Sequence, residues 1–265
     1  MGQPDPFVRN LLMHVCPVTG NGVWQRVVAQ VLQRIKLFNG RRVVAIVTGR
    51  ADAPPPGETN ADTVRVDGAL DPPERVVDAF AGHVHEFVTV PNDPALREVA
   101  TYEQLFERVE TLSPQQVTLY CHAKGVTRPE LHIVHEWTRL LIETNLDYWP
   151  WVERLLREHP CAASFISHTK SWRESSSAWH PSGSFWWFRN KDWFQHEDWR
   201  TRIDRFWSGI EAVAGRFFTV DRAGPIFHPL IWNGAGLYHE EFFKLVVLPS
   251  FEKWKAEHAD ERKEW

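Results

Sequence analysis

Three short apolar runs constrain this chain more than any other feature: Leu11-Leu-Met-His-Val15, Arg42-Val-Val-Ala-Ile-Val-Thr48 and Gln116-Val-Thr-Leu-Tyr-Cys121. The second is a continuous apolar run of the kind a parallel central strand requires, the first reads as a buried strand and the third as a strand. Between the first two lies Val23 to Phe38, with Val23, Val27, Val28, Val31, Leu32 and Ile35 at helical spacing, a Thr19-Gly-Asn-Gly22 turn ahead and an Asn39-Gly40 stop behind. Strand, helix, strand in that order predicts a parallel pair joined by a crossover.

The same alternation continues. A proline-rich loop at residues 51 to 62 leads to an expected strand at Thr63 to Asp67, a helix near Pro73 to Phe80, a strand at His85 to Val90 and a helix at Thr101 to Thr111. Beyond Gly125 the pattern predicts two helices within Leu131 to Glu158, broken at Trp149-Pro150, and a strand at Cys161 to Ser167. A helix from Trp199 to Ala214, another from His239 to Glu257 interrupted near Pro249, and a frayed charged end at Ala259 to Lys263 complete the reading. The predicted class is α/β, a mostly parallel, Rossmann-like sheet flanked by helices with a helical C-terminal extension. A chain of 265 residues, 43% hydrophobic, fits one domain, in which the pattern changes after residue 125 and a C-terminal helix and tail occupy 239–265.

Composition removes several classes. A net charge of -4 with dispersed Lys and Arg gives no global attraction to nucleic acid, so any phosphate site must be local. Cys16, Cys121 and Cys161 are odd in number and lack metal-ligand spacing, which argues against a disulfide framework and fits a reducing cytoplasm. No basic-then-apolar leader and no apolar stretch of about 18 residues is present, so no transmembrane segment is expected; peripheral membrane association stays compatible with the sequence. Of 14 Trp residues, ten lie between Trp137 and Trp207, a density that serves either a core or the apolar face of a sugar.

Two segments carry most of the chemistry. Tyr120-Cys-His-Ala-Lys-Gly125 puts an imidazole and an ammonium at the end of a strand, where alternation would send His122 and Lys124 to one face and Gly125 permits close backbone approach. Ser182-Gly-Ser-Phe-Trp-Trp-Phe-Arg189 surrounds a small-residue turn with rings. At the end of the first strand, His14 and the Gly-Asn-Gly turn with Asn21 and Trp24 stand where an α/β sheet takes a nucleotide. His132-Ile-Val-His135-Glu136 matches no zinc motif and reads as a polar helix face.

His14, Asn21 and Trp24, the Tyr-x-His-x-Lys-Gly segment and the Ser-Gly-x-Phe-Trp-Trp segment together resemble a group of bacterial and viral glycosyltransferases related to rhamnan-synthesis and capsule-polysaccharide enzymes. The resemblance spans roughly residues 10 to 210. It implies a GT-A-like fold, with a nucleotide-binding half at 10–125 and an acceptor half at 126–238, that moves a hexosyl or deoxyhexosyl group from a nucleotide-sugar donor to a glycan or lipid-linked acceptor in polysaccharide biosynthesis. Donor binding then falls to His14, Asn21, Trp24, His122, Lys124 and Gly125, and sugar or acceptor binding to Ser182, Gly183, Ser184, Trp186 and Trp187. Asp204, Asp221 and His180 are the candidates for a catalytic base. The chain departs from the family in having Ser184 where an amide is usual and no Asp-x-Asp for a metal, so Mn²⁺ or Mg²⁺ is compatible with the fold and required by no motif. The competing reading is a catalytically inactive carbohydrate-binding or scaffold protein on the same fold.

Overall fold

A computed structural model describes residues 6–49, 69–93, 95–126, 128–168, 175–229 and 235–265. The proline loop and the strand expected at Thr63 to Asp67 lie outside these residues.

The apolar runs form the strands they predict. β1 (Val8–Val15) and β2 (Arg42–Thr48) pair in parallel across the crossover helix α1 (Val23–Leu32), with Leu11 opposite Arg42 and Val15 opposite Ile46. α2 (Pro73–Ala79) then leads into β3 (Glu86–Pro91), parallel to β2, and α3 (Tyr102–Phe106) into β4 (Gln116–His122). β4 lies on the other side of β1, in parallel, and its register sets His14 directly beside His122. The order β3-β2-β1-β4 reverses direction at β1, so a topological switch point falls between β1 and β4.

The remainder of the chain widens this sheet. α4 (His132–Ile142) and α5 (Trp149–Glu158) flank a five-residue π-helical segment, Glu143–Asp147, and Pro150 stands in the first turn of α5, where its missing N–H costs nothing. β5 (Cys161–Ala163), the ribbon of β6 (Ile166–His168) and β7 (Trp179–Pro181), and β8 (Trp186–Arg189) follow. After them come α6 (Asn190–Phe194), α7 (Gly209–Ala212), α8 (Ala214–Phe217), β9 (Ala223–Pro225), α9 (Glu240–Phe242) and α10 (Leu248–Glu257). The full order is β3-β2-β1-β4-β8-β5-β9, with β8 antiparallel to both β4 and β5. The fold is therefore a mostly parallel sheet flanked by helices with a helical C-terminal end.

Strand alternation separates two cores. Leu11, Met13, Leu119, Cys121 and Trp187 face a layer containing α1, α4 and α5, whereas Leu12, Tyr120, Trp186 and Phe188 face a layer built from α3 and α6 to α8.

Three expectations are corrected. The strand at Cys161 to Ser167 is two strands in different sheets, because Phe165 turns the chain at φ 54° while its N–H donates to the Phe227 carbonyl. The helix from Trp199 to Ala214 is replaced by turns until Gly209, since the Asp204 carboxylate is engaged by residues from outside the segment. The charged end is tied down rather than frayed: the Lys263 N–H donates to the Asp147 carbonyl at 2.6 Å, and Arg154 pairs with Glu261 at 2.7 Å.

Candidate functional site

β1 and β4 end side by side at the carboxyl edge of the sheet, the edge where open α/β sheets bind ligands. Past His122 the chain turns sharply. The Lys124 N–H donates to the His122 carbonyl at 2.8 Å, Gly125 adopts φ 88°, and the Arg128 N–H donates back to the Gly125 carbonyl at 3.0 Å. A Cβ on Gly125 would stand 3.0 Å from Val134 Cγ1 in a left-handed backbone, so glycine serves there for both space and conformation.

The turn after β1 is fastened to this one. Asn21 Nδ2–H donates to the Val126 carbonyl at 2.8 Å, and Asn21 Oδ1 accepts the Val23 N–H at 3.0 Å, which also starts α1. The Trp24 indole is buried, and its N–H donates to Asp71 Oδ2 at 3.0 Å; Asp71 also accepts from Arg75. In this structure Asn21 thus ties the two turns together, and Trp24 ties α1 to Asp71.

His14 and His122 face the same layer and meet the segment 97–101. His122 Nδ1–H donates to Glu98 Oε1 at 2.7 Å, while Thr101 Oγ1 donates to the Glu98 carbonyl and lies 2.9 Å from His14 Nδ1. Because the single hydroxyl proton of Thr101 is committed to that carbonyl, His14 Nδ1 must carry a proton and donate. Burial of Glu98 would raise its carboxyl, but the hydrogen bond from His122 and the nearby imidazoles outweigh it and hold the group below the usual carboxylate range. His122 Nε2 is buried and has no hydrogen-bond partner among the described residues. Arg97, beside Glu98, is in a left-handed conformation at φ 49° with its guanidinium carbon 4.9 Å from the centroid of Trp207.

Lys124 goes the other way. The strand has ended, so alternation no longer applies, and the ammonium lies over the indole of Trp137 on α4, 3.8 Å from the ring centroid. The expected common face for His122 and Lys124 is thereby replaced by divergence onto opposite layers. Lys124 is only 7% exposed, yet it has no carboxylate and no hydrogen-bond acceptor among the described residues.

Ser182, Gly183 and Ser184 form a tight turn against the same edge. Gly183 and Ser184 are successive left-handed residues, at φ 93° and 53°, and the Gly183 N–H donates to Glu211 Oε1 at 2.9 Å. A Cβ on Gly183 would lie 2.6 Å from Leu141 Cδ1 and 3.3 Å from Lys124 Cε, so the loop packs directly on the lysine stem. Ser182 Oγ is 3.0 Å from His180 Nε2. Trp186 and Trp187 follow, but both are fully buried on opposite faces of the sheet. Trp186 packs among Phe106, Tyr120, Phe188 and Trp193; Trp187 stacks on Phe38 and donates its N–H to the Asn145 carbonyl. Neither ring presents a face to a ligand, because the alternation that separates them points each into a core.

The two acidic candidates lie elsewhere. Asp204 accepts from Ser175 Oγ, the Ser176 N–H and Oγ, and Arg216 Nη1 at 2.9–3.1 Å, so its oxygens are committed to holding a turn. Replacing Asp204 with alanine is expected to cost about 2–3 kcal/mol by leaving these donors unmatched. Thermal unfolding would register that loss while calorimetric nucleotide affinity stayed unchanged; an intact melting curve with lost turnover would restore Asp204 as a base. Asp221 is exposed and precedes β9, which runs parallel to β5, so it stands at the sheet edge opposite His122.

His14 and His180 are both pushed down to about 4 by burial. Each binds its proton more tightly unfolded, near the ordinary value of about 6.5, so the stability they permit is complete above that pH and is lost as pH falls toward 4, with a slope of up to ~1.4 kcal/mol per unit for each. Urea unfolding at decreasing pH should show this decline, and His14→Gln should flatten part of it. A flat profile would mean that the folded chain admits protons to both rings.

Glu98, Glu211 and Arg128 enter the site without any sequence signal except the proximity of Arg128 to Lys124. A cleft of about 470 Å³, lined by residues including Pro91, Asp93, Leu96, Tyr102, Glu103 and Arg205, opens beside segment 97–101 and includes none of His122, Lys124 or Gly183. Among the described residues, no cluster of three or more His, Cys, Asp or Glu is placed to hold a metal ion, and no helix is long and apolar enough to cross a membrane.

No protein-family model matches the chain, and no curated protein does. Among solved structures, a protein from Desulfovibrio desulfuricans G20 assigned as a nucleotide-diphospho-sugar transferase aligns at 12% identity over 94% of this chain and 96% of that one, with a TM-score of 0.36. The galactosyltransferase LgtC, in complex with donor and acceptor sugar analogues, aligns at 10% identity over 82% of this chain and 72% of that one, with a TM-score of 0.40. Superposition at this level is too loose to transfer any residue's role.

Proposed function

We propose that the protein is a GT-A-like glycosyltransferase that moves a hexosyl or deoxyhexosyl group from a nucleotide-sugar donor to a glycan or lipid-linked acceptor in polysaccharide biosynthesis. The observation that carries this reading is the Lys124 ammonium, nearly buried and without a counter-charge among the described residues, at the carboxyl edge of a parallel sheet. Desolvating an ammonium costs several kcal/mol, and an indole face returns only about 0.5–2 of them, so the site gains by admitting an anion. A nucleoside diphosphate is such an anion, and its charge grows as the glycosidic bond to the donor breaks. A fixed cation beside it stabilises that developing charge more than the ground state.

In this reading His14, Asn21, Trp24 and Gly125 set the shape of the donor pocket, and the loop Ser182 to Ser184 borders the acceptor side. His180 is the candidate base we retain, because it adjoins that loop through Ser182; burial keeps it neutral but weakly basic, so a bound anionic ligand must raise its proton affinity for it to act. Isothermal titration of the protein with UDP, GDP and dTDP, each with and without Mn²⁺, tests the donor site. Failure of all three to bind would remove the proposal.

A further inference from the structure

We infer that Glu211 is the general base that takes the proton of the acceptor hydroxyl, its carboxylate held at one side of the Gly183 residue whose other side packs on Lys124. The inference rests on the donor-site reading and adds to it a group that no sequence motif marks.

Two close approaches of backbone fix where Glu211 stands. It lies in α7, which begins at Gly209, where a Cβ would stand 1.8 Å from the Asp204 carbonyl oxygen and 3.1 Å from Val99 Cγ2. In α8, just after, a Cβ on Gly215 would lie 2.3 Å from the carbonyl oxygen of Trp179 in β7. No side chain fits at either point, so α7 and α8 sit directly on their neighbours. The Glu211 N–H donates to the Ser208 carbonyl at 3.1 Å, and the side chain leaves a fixed backbone.

From there the carboxylate reaches the loop of Ser182 to Ser184. Oε1 accepts the Gly183 N–H at 2.9 Å, while Oε2 has no hydrogen bond and no ion pair among the described residues. Glu211 is half-buried, and this second oxygen stays open to solvent. A neutral amide oxygen would accept the Gly183 N–H as well, so that bond accounts for an acceptor and leaves the charge unexplained. The other acids nearby are engaged, Glu98 by His122 and Asp204 by Ser175, Ser176 and Arg216. Both ring nitrogens of His180 are buried, Nε2 against Ser182 Oγ. The free oxygen of Glu211 is therefore the open proton acceptor at this loop.

The chemistry follows from the placement. As the acceptor oxygen bonds to the anomeric carbon of the donor, the bond from that carbon to the diphosphate breaks and its electron pair leaves with the diphosphate. The hydroxyl proton passes to Glu211 Oε2. Lys124 faces the departing charge from across Gly183, on which a Cβ would lie 3.3 Å from Lys124 Cε. Base and cation thus flank a single residue.

The test follows release of nucleoside diphosphate from UDP-glucose, GDP-mannose and dTDP-rhamnose by the full chain, with water as the acceptor. Glu211→Gln keeps an acceptor for the Gly183 N–H, so it is expected to melt and to bind nucleoside diphosphate as wild type does. Its KM should be unchanged and its kcat lowered about 100-fold or more. Turnover within about threefold of wild type would overturn the assignment, as would a loss carried by His180→Gln instead. A melting temperature low enough to account for the loss would also overturn it, since Glu211 would then only fasten the loop. The donor reading fails separately. Wild type that binds a nucleotide yet releases none from any probe removes the base and keeps the donor site; wild type that binds no nucleotide removes the donor reading and the base with it.

Discussion

Truncating Trp186 to alanine is expected to destabilise the fold by about 3–5 kcal/mol and to leave nucleotide affinity intact in the molecules that remain folded. The indole is fully buried, and rings of Phe106, Tyr120, Phe188 and Trp193 lie 5.1–6.2 Å from it, centroid to centroid. These partners come from α3, β4, β8 and α6, so the cavity would open where four elements meet and could not close by moving one of them. For a chain of this size the melting temperature should fall on the order of 10 °C. A ring that stacked on sugar would behave in the opposite way, losing affinity at little cost in stability, and that result would reinstate Trp186 as a ligand platform.

Lys124→Met should invert this pattern. Methionine retains most of the lysine stem's volume beside Gly183 and Trp137 and removes a charge that nothing described in the chain neutralises, so stability is expected to stay level or rise. Affinity for a nucleoside diphosphate should meanwhile fall by roughly 10- to 100-fold, the worth of one charge-assisted contact to phosphate. Paired melting and titration measurements decide the matter. A variant that melts early and binds as wild type does would make Lys124 a structural residue and take the donor site with it.

The parallel half of the sheet could be read from the chain because burial on both faces leaves an unmistakable mark. Arg42 to Thr48 is a strand over the same residues that the apolar run predicts, and β1, β3 and β4 differ from expectation only at their ends. β8 could not be placed that way. Its three successive aromatic residues, Trp186 to Phe188, have no period, and both of its partners are distant in sequence, so neither its direction nor its slot was visible. The site divides along the same line. A charged pair followed by glycine at a strand end locates His122, Lys124 and Gly125 at the ligand edge, but where the strand stops decides which way Lys124 points, and that depends on one backbone hydrogen bond. Trp186 and Trp187 suggested sugar through their number and position, while their exposure was set by strands that the local sequence does not name. Glu98 lies in a segment with no motif around it, and only the fold brings its carboxylate to His122.

The antiparallel β8 also has a consequence for how the molecule is made. It fills the gap between β4 and β5, although it is synthesised after both. Until residues 186–189 have emerged, β4 offers a row of unmatched backbone amides and carbonyls along its length, in a polypeptide whose first four strands can already assemble. A nascent or truncated chain ending before Trp186 would thus display an open, sticky border, and the small aromatic strand closes it from behind as a late bolt.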